Sequence, residues 1–396
     1  MKSFRTAVFW LHLTTGVTAG LVILVMSATG ALLAFKPQIL NRIERDVRVV
    51  ERPGSTRLRP SQILDAARAV RPDAPPASLA LDRDPSVSAA VSFGRDRTLY
   101  VNPYTGAVLG EGSSSAQQFF RSVEDWHRWL GASVDNRVTA RAVTGAANVL
   151  FLGLAMSGLF LWWPHAWLPQ HVKAILVFKR TSIGRARDFN WHNVIGFWCA
   201  PILIVLTATG VVMSYPWANR LLYQMAGSPL SAADARAPRG GGGERAVRAA
   251  PLPGNLDRLW ARAEQQLPTW RTMTMRVPER RGAPVTFTMS DAQNSNAFAR
   301  SQLTLNAETA EVARWEPYAE TSRGQKWRGW VRFGHTGELG GVAGQSLAAV
   351  ACLGGVLLVW TGFSLAFRRL IGWRWWRRPK SSHHGHSVPS ADPLPE

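Results

Sequence analysis

The sequence predicts an α-helical integral membrane protein with four transmembrane helices, built by tandem duplication, and two small α+β domains on one side of the bilayer. Three observations predict this. Four long stretches, 6–35, 142–172, 189–219 and 339–367, contain no Asp, Glu, Lys or Arg, and each supplies the ~20 apolar residues needed to cross a bilayer. Two of them share one pattern, HLTTGVTAGLVILVMSATG at 12–30 and HNVIGFWCAPILIVLTATG at 192–210. The long segments between spans also share an order: a helical pattern, then strand, turn and strand.

The first span, 6–35, has an apolar core far longer than the roughly 7–15 residues of a signal-peptide core, and its duplicate lies mid-chain, so it reads as a retained helix. Residues 36–125 form the first outer domain. There SQILDAARAV (61–70) carries apolar residues at helical spacing, and SVSAAVSF (86–93), RTLYVNP (97–103) and AVLGE read as strands around the turn Tyr104-Thr105-Gly106. Residues 126–163 hold an outer His motif and the second span, 164–190 an inner loop, and 191–217 the third span. The second outer domain, 218–332, repeats the order with LDRLWARAEQQL (256–267), PVTFTMS (284–290) and SQLTLNAETAEVARW (301–315). Within it, 231–254 is a low-complexity flexible linker. Residues 333–367 hold the second outer His motif and the fourth span, and 368–396 is a basic tail.

Lys+Arg exceed Asp+Glu by 46 to 26, a formal charge of +20. The excess gathers on short flanks: Lys2 and Arg5; Lys173, Lys179, Arg180, Arg185 and Arg187 against Asp188; and Arg368, Arg369, Arg374, Arg377, Arg378 and Lys380. That placement orients a membrane protein, with both termini and the inner loop cytoplasmic, and implies a lipid bilayer rather than nucleic acid as partner. Cys199 and Cys352 both lie in spans, so there is no disulfide framework and no Cys-x-x-Cys-His haem attachment.

Candidate chemistry rests on histidines. His12 and Gly30 are eighteen residues apart, as are His192 and Gly210, which puts each pair on one helix face ~27 Å apart. The face between carries Gly16, Ala19, Ile23 and Ser27 in one copy, and Gly196, Cys199, Leu203 and Thr207 in the other. The plain alternative for either His is an interfacial residue bonded to a carbonyl. Two matched copies point instead to imidazoles opposed at one depth, with Gly16 and Gly196 admitting a flat ring, which is the axial arrangement of a b-type haem. DWHRWLG (125–131) and FGHTGELGG (333–341) place His127 and His335 as a second facing pair at the outer surface. Gly30 and Gly210 reach that depth and are expected to leave space for a second macrocycle. Arg128, Arg137 and Arg141 are candidate carboxylate partners there. His165 and His171 have no counterparts in the other half and read as interfacial or solvated, with contact to an electron donor as the alternative; His383, His384 and His386 read as a solvated tail, with metal binding as the alternative.

Together, a His-headed first span ending in Thr-Gly, His127-Arg128 before the second, WxxHNVIGFW opening the third, and GHTGELGG before the fourth resemble the PepSY-associated transmembrane family over about residues 5–375. Iron-regulated inner-membrane proteins and siderophore reductases are among its members. The resemblance implies that the outer modules are periplasmic PepSY-like domains. It implies two b-type haems with bis-His ligation by His12, His192, His127 and His335. It also implies a bacterial inner-membrane reductase that delivers electrons to a periplasmic ferric siderophore and releases Fe(II). No dinucleotide fingerprint stands out, and the chain has no room for a fused flavoprotein, so a quinol or a separate reductase is the expected electron donor. The competing expectation is a non-enzymatic PepSY membrane protein that binds or regulates an extracytoplasmic partner such as a peptidase. A third, an ion or proton transporter, is weakened by the lack of mid-span carboxylates.

Overall fold

The computed structural model describes residues 2–94, 97–163, 173, 176–179, 183–230, 253–278, 280, 282–294, 296 and 298–376. In the first half, α1 (Lys2–Leu33) leads through α2 (Lys36–Ile43) and α3 (Arg45–Arg48) to α4 (Pro60–Val70). Strands β1 (Ser78–Asp82), β2 (Ala89–Ser92), β3 (Thr98–Val101) and β4 (Val108–Glu111) follow, then α5 (Ser114–Trp129) and α6 (Arg137–Trp162). The second half runs α7 (Gly184–Ser214), α8 (Pro216–Met225), α9 (Leu256–Gln266), β5 (Trp270–Arg276), β6 (Val285–Asp291), β7 (Ser301–Leu305), β8 (Val312–Glu316), α10 (Arg323–His335) and α11 (Gly341–Trp376). The expected linker lies, apart from its last two residues, outside the described residues, as do His165, His171 and the C-terminal histidines.

Among the described residues, four helices are long and apolar enough to cross a membrane. They form a ring in which α1 packs on α6 and α11, and α7 packs on the same two. The stripe read from the sequence is its inside: Ala19, Ile23, Ser27, Cys199, Leu203 and Thr207 are all buried. The outside stays apolar, with Leu11, Leu21, Val350 and Trp360 more than half exposed, a surface that only lipid covers without cost.

The two outer modules are not separate domains. Their strands make one eight-stranded antiparallel sheet in the order β4-β3-β2-β1-β5-β6-β7-β8. Sequence reading missed β1 and β5, the two strands that fuse the halves, although burial alternates along SLALD and apolar and polar residues alternate along the TMTMR of β5. Leu79 faces Val91 on β2 as Met275 faces Phe287 on β6, so they are equivalent residues, and they face each other across the junction. A local two-fold axis therefore passes through that pair. Helices α4 and α9 cover one face, where Leu79, Met273, Met275, Phe287, Met289 and Leu303 are fully buried with Ile63, Leu64, Leu259 and Trp260 in one continuous core. Asp257 at the start of α9 accepts from Ser61 N at 2.9 Å and Ser61 Oγ at 2.6 Å, tying the helices together.

The other face meets the connector from α1. Glu44, 2 % exposed, accepts from Arg48, from Gln117 Nε2 at 2.7 Å and from the Tyr100 hydroxyl at 3.2 Å. Burial pushes that hydroxyl's pKa up to about 12, so it remains a donor. One buried carboxylate thus joins α3, the sheet and α5.

Residues 125 and 126 both lie within α5, and 332 and 333 within α10, so the boundaries drawn there from sequence cut through helices. Each helix stops at a turn that needs glycine. After α5, Leu130 (φ 52) and Gly131 (φ 71) turn left-handed; after α10, Gly337 has φ 76, and a Cβ there would come 2.8 Å from the Gly344 carbonyl.

The shared core yields a test. Leu79→Ala should cost about 2–5 kcal/mol and speed amide exchange in β5 and β6 as much as in β2 and β3. Exchange confined to the first four strands would contradict a single cooperative sheet.

Candidate functional site

Each of the four histidines is held by its own half of the chain and ends opposite its counterpart from the other half. His12 on α1 and His192 on α7 have ring centroids 6.4 Å apart, with planes at 85°. Their helices are diagonal in the ring rather than packed neighbours, so the rings meet across its middle. His127 near the end of α5 and His335 at the end of α10 are also 6.4 Å apart, with planes at 57°.

One nitrogen of every ring is engaged the same way. His12 Nδ1 lies 2.9 Å from Ser157 Oγ, and His192 Nδ1 2.9 Å from Thr361 Oγ1. His127 Nδ1 lies 2.9 Å from Thr29 Oγ1. His335 Nδ1 lies 3.1 Å from Thr209 Oγ1 and 2.9 Å from the Leu206 carbonyl. Sequence reading missed all four hydroxyls. The signal was present, since each span contains one Ser/Thr-Gly dipeptide at the relevant depth: Thr29-Gly30, Ser157-Gly158, Thr209-Gly210 and Thr361-Gly362.

Glycines open space at the inner pair. A Cβ at Gly158 would meet only His12 Cε1 at 3.5 Å, and one at Gly362 only the His192 ring, at 3.5 Å and beyond. At Gly16 it would meet only Leu154 at 3.9 Å, and at Gly196 only Leu358 at 3.6 Å. The outer glycines have closer neighbours. Cys352 Sγ would lie 3.2 Å from a Cβ at Gly30, and Asn148 Nδ2 2.9 Å from one at Gly210. At Gly30 the His127 ring also lies 3.4 Å from that position, so these glycines mark close approaches, of a ring and a helix at Gly30 and of a helix at Gly210.

The candidate arginines are largely committed. Trp129, 8 % exposed, makes cation–π contacts with the guanidinium groups of Arg128 at 4.4 Å and Arg137 at 4.3 Å. Arg137 also pairs with Asp125 at 3.4 Å, and Arg141 donates to the Ser214 carbonyl at 3.1 Å. At the inner end Asp188, which the sequence offered only as a counter-charge, is buried between Ser364 Oγ at 2.6 Å and Arg187 at 3.0 Å. It clamps α7 to α11 one turn from His192 and Thr361. At the outer end Phe298, in the β6–β7 loop, stacks on Phe333 at 3.7 Å, two residues before His335.

Two coaxial imidazoles that share a metal at about 2 Å from each nitrogen place their ring centres roughly 6 Å apart. Both pairs meet that spacing at 6.4 Å. Among the described residues no group of three or more His, Cys, Asp or Glu could hold a bare ion. The spacing is compatible with two imidazoles sharing one metal, as in bis-His haem ligation.

The fold and site define a multi-pass membrane protein of two fused halves, with paired imidazoles at both ends of a four-helix ring and a shared sheet over one end. The profile of the PepSY-associated TM region matches residues 9–369, and the chain belongs to that family. None of the curated proteins compared with the chain matches it.

Close packing beside the outer pair makes a prediction. Gly210→Ala should displace Asn148 from the Thr207 carbonyl, which it reaches at 2.9 Å, at about 1–3 kcal/mol. Adding Asn148→Ala should recover most of that loss in thermal-unfolding midpoint. Equal loss with and without Asn148 would remove this contact from the account.

Proposed function

We propose that the protein is a dihaem b-type membrane reductase that passes electrons across the inner membrane to a ferric siderophore and releases Fe(II). One observation carries the reading: two pairs of hydrogen-bonded histidines at opposite ends of the helix ring, each 6.4 Å between ring centres. Haem bound at the pairs supplies one-electron carrier chemistry at its iron. His12, His192, His127 and His335 would hold the haem iron, and Gly16, Gly158, Gly196 and Gly362 keep side chains clear of the inner rings.

The inner histidines and the threonines that hold the outer pair lie on the same two helices, α1 and α7. His12 to Thr29, like His192 to Thr209, is seventeen residues, or ~26 Å of helix, close to the thickness of the hydrocarbon layer. In this reading the basic flanks, with Arg187, Arg368 and Arg369, face the cytoplasm, where a quinol or a separate reductase donates the electron. The sheet then lies in the periplasm, over the outer pair. A hard-oxygen chelate holds Fe(III) far better than Fe(II), so one electron is enough for release, and no acid, base or nucleophile is needed. An anchor for a peptidase-binding module requires none of the four histidines: His12 and His192 are costly inside a span, and all four are matched between the halves.

The absorbance spectrum of the purified protein tests the reading. Two low-spin haems per chain are expected, and His12→Ala or His192→Ala should each remove one and leave the other spectrum intact. His335→Ala should leave the inner haem reducible from the cytoplasmic side while ferric-siderophore reduction outside falls to background. A colourless protein, or full haem in every variant, overturns the proposal.

A further inference from the structure

We propose that Ser157, Thr361, Thr29 and Thr209 are positioning residues that hold their four histidines in the Nδ1–H tautomer, so that each presents Nε2 as the ligand atom. A neutral imidazole donates at one nitrogen and accepts at the other, and which is which follows from the partner it is given. Each hydroxyl spends its own proton on the preceding turn: Thr29 on the Val25 carbonyl at 2.6 Å, Ser157 on Leu154 at 3.2 Å, Thr209 on Val205 at 2.7 Å and Thr361 on Leu357 at 2.7 Å. With that proton engaged, the oxygen facing the ring accepts, and Nδ1 must donate. His335 gives the same answer independently, because the Leu206 carbonyl at 2.9 Å has no proton to offer.

Back-bonding of Ser and Thr to their own helix is common in spans and by itself means little. Here all four such groups meet a histidine from another helix of the same half. In three cases the following glycine lets the ring lie against the backbone: a Cβ would come 3.4 Å from His127 Cε1 at Gly30, and 3.5 Å from His12 and His192 at Gly158 and Gly362. At Gly210 the close neighbour is Asn148. The hydroxyl thus fixes tautomer and ring direction together, before any metal arrives.

An acceptor on Nδ1–H also makes Nε2 a stronger donor and favours the more oxidised metal. Removing it should raise the midpoint potential of the centre concerned. This consequence rests on the haem reading, whereas the tautomer assignment does not.

The experiment compares Thr361→Ser with Thr361→Val in the full-length protein. In haem-free samples labelled with ¹⁵N-histidine, the wild type and the serine variant should show Nδ1 protonated at His192, and the valine variant should lose that preference. After loading, a spectroscopic redox titration should show one centre shifted upward in the valine variant and unshifted in the serine variant. Protonation at Nε2 in the wild type overturns the proposal. So does an unshifted potential in a fully loaded valine variant, or a serine variant as perturbed as valine. If the wild type takes up no haem but shows the stated tautomers, the reductase reading fails and this assignment stands.

Discussion

Inside a hydrocarbon layer a ring nitrogen has no water to turn to, and leaving it unpaired costs about 1–3 kcal/mol or more. That constraint organises this bundle. Each His Nδ1 is satisfied by a hydroxyl or carbonyl from a neighbouring helix, so packing α1 on α6 and α5, and α7 on α11 and α10, is what makes the histidines tolerable. The same bonds leave the second nitrogen free toward the facing ring. Satisfaction of one atom and availability of the other are a single arrangement, repeated at both depths.

The outer end adds a second constraint. α5 and α10 bring His127 and His335 in from above, and both helices are anchored to the shared sheet side of the molecule: α5 through Gln117 to Glu44, and α10 through Phe333 to Phe298. The outer rings therefore depend on the extramembrane fold as well as on the spans. The inner rings depend on the spans, with Asp188 and Ser364 closing the far end of α7 on α11.

Much of this was legible in the sequence because it is written in periodicity. The uncharged runs give the spans, and the eighteen-residue His-to-Gly spacing gives the buried face on which Ala19 and Cys199 lie. The positions of the four histidines followed from matching the halves. What escaped was pairwise and non-local. Ser157 and Thr361 look like ordinary polar residues in apolar helices until the ring they touch is known. Strands β1 and β5 are only five and seven residues long, and no local rule says that they pair across nearly two hundred residues. Gly30 and Gly210 mark close approach, but the sequence does not say what approaches: the His127 ring and Cys352 at the first, Asn148 at the second.

The junction at Leu79 and Met275 carries a consequence for ancestry. Because equivalent residues meet there about a two-fold axis, the covalent link between the halves adds no pairing that two identical half-length chains would lack. Such a half, alone, would expose β1 as an open edge able to recruit another strand, and would hold each imidazole on its hydroxyl with nothing opposite. Its two-fold dimer would close the edge and complete both histidine pairs in one association step, as isologous contacts require. Fusion then frees the halves to diverge on either side of the axis, as Cys352 beside Gly30 and Asn148 beside Gly210 have done.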